Sequence, residues 1–190
     1  MNEQQNPWTI LGEKNIYDNE WISLTEYNVL NPSGGKGIYG KVHFKNFAIG
    51  IIALDDDMNI YLVGQYRFPI NQYSWEIPEG GGPFTDDPLD SAKRELLEEA
   101  GLKAENWMKI LVMHLSNSVT DECCEIYLAG KLSQHTAVPD ETEKLSIKKM
   151  PFEDAYKMVQ SGEITDSVSV AAIMKVKLML LEGSLPSSFF

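Results

Sequence analysis

Three glutamates, Glu95, Glu98 and Glu99, crowd beside Arg94 in the segment AKRELLEEAGL. On a helix, residues three and four apart are neighbours, so these carboxylates would lie along one edge and repel one another. A hard divalent cation relieves that repulsion, because Mg²⁺ takes oxygen ligands in near-octahedral geometry. The alternative interpretation is a solvated acidic helix face, since runs of charge are common on protein surfaces.

A glycine-rich loop precedes this segment in the chain. Gly80, Gly81 and Gly82 follow shortly after Pro78, and we predict that they form no regular element. Such a loop can offer a backbone carbonyl to a cation without obstruction by side chains. We therefore expect the loop and the acidic helix to form one site.

The helix that would carry the glutamates has recognisable ends. Asp87 is placed to act as the N-cap and Pro88 as the first helical residue, and Gly101 is placed to end the helix. The face expected to contact the core carries Leu89, Ala92 and Leu96. The glutamates lie on a different edge, so the helix can pack and still present its carboxylates.

The elements that must position this helix follow from local pattern. The mixture of aromatic, β-branched and polar residues in 8–46 predicts short strands, with a turn at 31–37. The apolar runs 47–54 and 60–66, separated by DDDMN, predict a hairpin of buried strands.

The second half of the chain alternates less regularly. We predict strands at 74–77, 107–115 and 125–132, and helices within 151–164 and at 166–182. The order of strands, helix, strands and helices favours an α+β layered fold with a mixed or antiparallel sheet. We predict a β extension at 1–46 and a main domain at 47–190.

The acidic composition of the chain argues against some classes of binding partner. The chain of 190 residues has 16 basic and 28 acidic side chains, and its net charge of −12 repels nucleic acids and anionic membranes. No apolar run approaches the roughly 20 residues that a membrane span needs, and the N-terminus lacks the features of a signal peptide. We therefore expect no nucleic acid or membrane partner.

The cysteines and histidines give no sign of a disulfide framework or a metal site. Cys123 and Cys124 are adjacent, which would strain a bond between them, and we expect a cytoplasmic protein. His43, His114 and His135 have no ligand spacing, and we interpret them as structural or surface residues.

Residues 80–102, GGGPFTDDPLDSAKRELLEEAGL, are similar to the Nudix signature. That signature runs Gly, five residues, Glu, seven residues, Arg-Glu, an aliphatic residue, any residue, Glu-Glu, any residue, Gly and an aliphatic residue. The matching positions are Gly80, Arg94, Glu95, Leu96, Glu98, Glu99, Gly101 and Leu102. Asp86 stands where the signature has its first Glu, the usual partner of the arginine. Asp is one methylene shorter than Glu, so Asp87 is an alternative partner.

The resemblance implies an α/β/α sandwich with a mixed sheet, and hydrolysis of a nucleoside diphosphate linked to another group. It also implies Mg²⁺, or Mn²⁺, bound by Glu95, Glu98 and Glu99 with the backbone carbonyl of Glu79 or Gly80. We place Glu99 and Arg94 in the catalytic set on the same basis.

A proton acceptor is expected in the loop SNSVTDECCE, which resembles the mobile downstream loop of several Nudix pyrophosphatases. Asp121, Glu122 and Glu125 are the candidates, and Glu122 is our choice. The alternative is a solvent-exposed acidic loop that closes two strands.

The segment QYRFPINQYSWEIPEGG resembles that of Nudix ADP-ribose and nucleotide-sugar pyrophosphatases. Arg67 would hold a phosphate or ribose through paired hydrogen bonds, and Glu76 would accept from an adenine amino group or a ribose hydroxyl. Tyr73 and Trp75 would stack on a base or sugar, although core packing is the alternative role for large rings.

The resemblance therefore predicts Mg²⁺-dependent hydrolysis of ADP-ribose or a related nucleotide sugar, giving a nucleoside monophosphate and a sugar phosphate. GDP-mannose, UDP-glucose and dinucleotides are alternative substrates. Two non-catalytic alternatives are a nucleotide-sensing Nudix module and an acidic cation-binding domain. Members of this subfamily often exchange N-terminal sheets, so a homodimer is expected.

Overall fold

A computed structural model of the chain describes residues 5–137, 145–186 and 189. The chain divides into two compact units, Met1–Asn46 with His114–Glu122, and Phe47–Met113 with Cys123–Phe190. The acidic loop before residue 123 is thus grouped with the N-terminal strands. The functional division at 46/47 stays a prediction.

The first unit is built on an antiparallel sheet in the order β1-β2-β3, formed by β1 (Thr9–Asp18), β2 (Ile22–Leu30) and β3 (Lys36–Phe44). The predicted turn at 31–37 joins β2 to β3. There the Asn31 side chain accepts hydrogen bonds from the N–H groups of Ser33 and Gly35, and Gly34 adopts a left-handed conformation.

The strands of the second unit form two sheets. One has the order β7-β4-β9-β8 and the other the order β10-β5-β6. Their bounds are β4 (Asn46–Ala53), β5 (Asn59–Arg67), β6 (Gln72–Glu76), β7 (Glu79–Pro83), β8 (Leu102–His114), β9 (Cys123–Gln134) and β10 (Ser146–Pro151). Strands β4 and β9 are parallel, whereas β5 is antiparallel to both of its neighbours.

Three helices complete the second unit: α1 (Pro88–Ala100), α2 (Phe152–Ser161) and α3 (Ser167–Glu182). The predicted ends of α1 are confirmed, because the Asp87 side chain accepts from the Leu89 N–H and Gly101 is left-handed. The helix predicted at 166–182 is confirmed as well, with Asp166 as its N-cap.

The core shows why the helices lie on two layers. Phe47, Ile49 and Ile51 alternate along β4 and belong to the same buried cluster as Ala92 and Leu96 of α1. On the other face of β4, a Cβ added to Gly50 would lie 2.6 Å from Val168 of α3. One face of the strand therefore meets α1 and the other meets α3, which confirms the α+β fold and the α/β/α sandwich.

Two predictions about strands were wrong, and one strand was not predicted. The runs 47–54 and 60–66 do form strands, but β4 and β5 lie in different sheets and are linked next to their connecting turn by a Leu54–Ile60 bridge and the hydrogen bond from the Asp55 N–H to the Asn59 carbonyl. Both edges of β4 are already occupied, by β7 and β9, so β5 has no place beside it. The glycine segment, predicted to be irregular, forms strand β7, and β10 was not predicted.

Among the described residues, no helix is long and apolar enough to cross a membrane.

Candidate active site

Helix α1 fixes the positions of the three glutamates. Glu99 is buried, with 3% of its surface exposed, and its Oε2 accepts a hydrogen bond of 2.9 Å from the Glu79 N–H of β7. Glu95 and Glu98 are half-buried along the same helix edge. The predicted juxtaposition of the glycine segment and the acidic helix is therefore observed, although the segment is a strand.

The Arg94 guanidinium is held by three oxygens at this edge. It donates to Gly81 O at 2.8 Å, to Glu95 Oε1 at 2.7 Å and to Glu98 Oε2 at 2.5 Å. Burial raises the pKa of Glu95, while Arg94 and the Gly81 N–H act in the opposite direction. The strand and helix thus already bind a cationic group through carboxylate and carbonyl oxygens.

Gly80 allows the close approach of strand and helix. A Cβ at this position would lie 2.1 Å from the carboxyl carbon of Glu95, a distance that real structures do not show. A Cβ at Gly82 would lie 2.3 Å from Ser91 Oγ in the first turn of α1. A side chain at either glycine would therefore displace a group of α1 from its present position.

The fit to a divalent cation rests on donor chemistry and space. In the described part of the chain, no three His, Cys, Asp or Glu side chains are arranged together as a ready metal cluster. The reason is visible, since Arg94 binds Glu95 and Glu98 while the β7 backbone holds Glu99. The donors themselves are hard oxygens, the kind that Mg²⁺ takes, and the absence of a side chain at Gly80 lets the Glu95 carboxylate lie against the glycine strand.

Arg94 pairs with neither of the acids expected for it. Asp86 Oδ1 accepts from the Thr85 hydroxyl, and Asp87 is the N-cap of α1. The guanidinium instead turns to Glu95 and Glu98, which lie one and four residues ahead of it on the same helix.

Arg67 and Glu76 form a tight ion pair on one face of the β5–β6 hairpin. Arg67 Nη2 donates to Glu76 Oε2 at 2.6 Å, and its Nε lies 3.0 Å from both carboxylate oxygens. Glu76 is only 2% exposed, and its charge raises the pKa of Arg67. The pair lines a pocket of about 420 Å³ that also includes Ile70, Thr165 and Asp166.

Tyr73 and Trp75 lie on the opposite face of this hairpin. In the β5–β6 register, Trp75 is paired with Gly64 and Tyr73 with Tyr66, whereas Glu76 is paired with Val63. The Tyr73 and Trp75 rings meet edge to face at 5.6 Å, in the space above Gly64 that a Cβ would fill. The structure therefore does not bring these aromatics into the pocket of Arg67 and Glu76.

A polar network behind β7 was not predicted. The Ser169 hydroxyl donates to Glu79 Oε1 at 3.0 Å and accepts from the Ile77 N–H at 2.9 Å. Burial raises the pKa of Glu79 well above its ordinary value, and the nearby Asp166 carboxylate adds to this effect. The only signal in the sequence was the Asp166-to-Ser169 spacing, which is also that of an ordinary helix cap.

The candidate bases differ in how they are held. Asp121 accepts from the Phe44 N–H and lies 2.8 Å from His43 Nδ1 and 3.2 Å from Lys41 Nζ. Burial opposes its ionisation, but these contacts lower its pKa overall. In the second unit, Glu125 accepts from Lys109 and from the Tyr127 hydroxyl.

Glu122 is held differently, in the first unit. Within residues 5–137, 145–186 and 189, its carboxylate has neither a hydrogen bond nor an ion pair, and its backbone carbonyl lies 3.2 Å from His114 Nδ1. Burial alone raises the pKa of the Glu122 carboxyl. Of the three candidates it is therefore the carboxylate most available to accept a proton.

Known proteins share this signature and fold. The NUDIX domain model matches residues 45–168. Over 170 residues the chain is 30% identical to the ADP-ribose pyrophosphatase of Bacillus subtilis (strain 168), covering 88% of this chain and 91% of that protein. It is 29% identical to the ADP-ribose pyrophosphatase of Mycobacterium tuberculosis (strain ATCC 25618 / H37Rv), covering 87% and 81%.

A solved structure described as an ADP compounds hydrolase shares the fold. Its TM-score is 0.83 over 94% of this chain and 97% of that chain, at 19% identity. With the signature of α1 and the matched domain, these similarities show that the chain belongs to the Nudix family and is a Nudix pyrophosphohydrolase.

Proposed function

We propose that the protein hydrolyses the diphosphate bond of ADP-ribose or a related nucleotide sugar in a Mg²⁺-dependent reaction. Water adds to one phosphorus and the bond to the bridging oxygen breaks, which gives a nucleoside monophosphate and a sugar phosphate. The observation that carries the proposal is the row of Glu95, Glu98 and Glu99 on α1, packed against the glycine strand. The two pyrophosphatase relatives support the choice of substrate class.

The metal would be held by Glu95, Glu98 and Glu99, with the backbone carbonyl of Glu79 or Gly80. When bound, such an ion neutralises phosphate charge, orients the attacking water and lowers its pKa. Mn²⁺ has the same preference for oxygen donors and can replace Mg²⁺. A sensing module that had lost catalysis would have little reason to keep three mutually repelling carboxylates.

Proton transfer is assigned to Glu122. A general base must be unprotonated and free to accept, and the Glu122 carboxylate has no competing donor within the described residues. Asp121 and Glu125 each already accept from two or more groups. Arg94 belongs to the catalytic set because its guanidinium contacts two of the metal-binding carboxylates.

Substrate binding is assigned to Arg67 and Glu76 in their pocket. The Arg67 guanidinium can donate to a phosphate or ribose oxygen, while Glu76 keeps it in place. Tyr73 lies on the other hairpin face and is 52% exposed, and the Trp75 ring lies 5.1 Å from Lys148 Nζ, so their stacking role would belong to a separate surface.

The substrate class is tested by a panel assay. ADP-ribose, GDP-mannose, UDP-glucose and a dinucleoside polyphosphate are incubated with Mg²⁺ or with chelator, and the monophosphate product is measured. We expect AMP from ADP-ribose at the highest kcat/KM, and no product with chelator. A higher kcat/KM for another member of the panel would identify that compound as the better substrate. Turnover that continues in the presence of chelator would contradict the proposed dependence on Mg²⁺.

We further propose a cytoplasmic homodimer. Cys123 and Cys124 are adjacent in sequence, which would strain a bond between them, and this arrangement is compatible with a reducing compartment. An apolar groove of about 350 Å³ on the first unit supports dimerisation, since Trp8, Ile10 and Tyr39 line it and remain partly exposed.

A further inference from the structure

Ser169 joins α3 to the strand that faces the metal-binding helix. Its side chain is completely buried, and its hydroxyl makes two hydrogen bonds, one with the N–H of Ile77 just before β7 and one with Oε1 of Glu79 at the start of β7. Its own N–H donates to the N-cap Asp166 at 2.7 Å, which fixes the backbone that carries the hydroxyl.

Glu79 forms hydrogen bonds with both α3 and α1. Its side chain points to α3, where it accepts from Ser169, whereas its backbone N–H points to α1 and donates to Glu99 Oε2 at 2.9 Å. The neighbouring Pro78 carbonyl accepts from the Ile51 N–H of the central strand. The peptide that orients Glu99 is thus held from β4 and from α3.

We propose that Ser169 is a positioning residue for the metal site, because it fixes the Glu79 peptide and, through its N–H, the carboxylate of Glu99. The inference rests on the proposed function, since it concerns the same carboxylates. Ser169 lies on a different helix from the signature, and no part of the signature contains it.

Removal of the hydroxyl has a direct consequence. In Ser169→Ala the Ile77 N–H loses its acceptor and the Glu79 carboxyl loses the Ser169 donor, so the segment keeps its support from β4 but loses its support from α3. Groups that orient metal ligands in this way typically contribute 10- to 100-fold to affinity or activity. We expect Ser169→Ala to weaken Mn²⁺ binding at least about tenfold.

The test measures Mn²⁺ binding directly, by electron paramagnetic resonance of the free ion, together with the Mg²⁺ dependence of turnover. Ser169→Thr keeps a hydroxyl and should bind Mn²⁺ within about threefold of the wild type. Ile173→Val removes one buried methylene one turn further along α3 and controls for a general loosening of the helix. Ile173→Val should leave Mn²⁺ affinity unchanged. In Ser169→Ala, kcat at saturating Mg²⁺ should fall by a smaller factor than the apparent affinity for the metal.

A second pair of variants tests the same link if Ser169→Ala does not fold. Glu79→Gln keeps an oxygen that accepts from Ser169 and should retain Mn²⁺ affinity, whereas Glu79→Ala should lose about tenfold. Wild-type affinity in Ser169→Ala, or equal affinity in the two Glu79 variants, would overturn the inference while the metal proposal stands. Absence of Mn²⁺ binding in the wild type would overturn both.

Discussion

Gly80 lies where β7 passes over the carboxylate of Glu95, and the separation leaves no room for a side chain. The signature contains this glycine, and the structure shows that a side chain here would clash with the carboxylate of Glu95. The glycine segment forms a strand because it pairs with β4, and its lack of side chains lets it lie close to α1.

The first prediction concerns this contact. Gly80→Ala should push the Glu95 carboxylate away from β7 and lower kcat/KM at least about tenfold, because metal-site geometry depends on such support. Gly37→Ala is the matched control, since a Cβ there meets nothing within 4 Å. Kinetics with ADP-ribose at saturating Mg²⁺ give the comparison, and equal activity in both variants would refute the packing argument.

The second prediction concerns the pH dependence of Glu122. Burial raises its pKa above the ordinary value of 4.5, and a base must be unprotonated to act. Activity should therefore be full at neutral pH and fall as the pH drops through the raised pKa, with a midpoint above 4.5. In Glu122→Gln, kcat should fall about 10²- to 10⁴-fold.

The measurement is kcat with saturating substrate between pH 4.5 and 8. The residual activity of Glu122→Gln should lack the wild-type acid limb. If the acid limb of the pH profile is unchanged in Glu122→Gln, or if kcat falls less than about threefold, another residue acts as the general base.

For single residues, the types and spacing in the sequence were enough to predict a candidate metal site. The match predicts Glu95, Glu98, Glu99 and Gly80 as metal ligands, and the structure places Glu95 and Glu99 against the glycine strand. It was silent on Ser169, because the hydrogen bonds of this residue with Ile77 and Glu79 join positions that are 90 or more residues apart in sequence. The pairing of Arg94 with Glu95 and Glu98 was also not predicted, since its long flexible side chain can reach several nearby acids.

Helix α1 is the element on which the site depends. Its N-cap was predicted from the Asp-Pro pair, and the structure shows the cap bond from the Leu89 N–H to Asp87 Oδ1 at 2.8 Å. Local rules were sufficient here because capping involves only neighbours in sequence. Strand pairing is set by competition among distant segments, which is why the predicted hairpin of β4 and β5 was wrong.

The third prediction tests this cap. Asp87→Ala should lower the free energy of unfolding by about 1 kcal/mol, measured by urea denaturation. Asp86→Ala is the control, since the Asp86 side chain accepts a hydrogen bond from the Thr85 hydroxyl and does not cap the helix, so its removal should have a smaller effect. A larger loss in Asp86→Ala would indicate that the pair with Arg94 matters after all.

For the whole molecule, the order of elements was enough to predict the α+β class and the layered architecture. It was not enough to predict that the sheet divides in two, or that residues 114–122 join the N-terminal strands in one compact unit. Both features depend on contacts between segments far apart in the chain.

The fourth prediction concerns assembly. If the groove on the β1–β3 sheet is covered by a second copy, Ile10→Asp should place a charge in that interface and yield monomers in sedimentation velocity experiments. Ile147→Asp introduces the same charge on exposed β10 of the second unit and should stay dimeric. A monomeric wild type would contradict the proposed homodimer.

The central claim is that the carboxylates of α1 hold the divalent cation that hydrolysis requires. Its most direct test is the rate of AMP release from ADP-ribose across a Mg²⁺ titration, for the wild type, Glu99→Gln and the exposed control Glu105→Gln. We predict Mg²⁺-dependent turnover in the wild type and in Glu105→Gln, and its loss in a folded Glu99→Gln protein. Full activity in Glu99→Gln, or wild-type turnover that ignores Mg²⁺, would contradict the account.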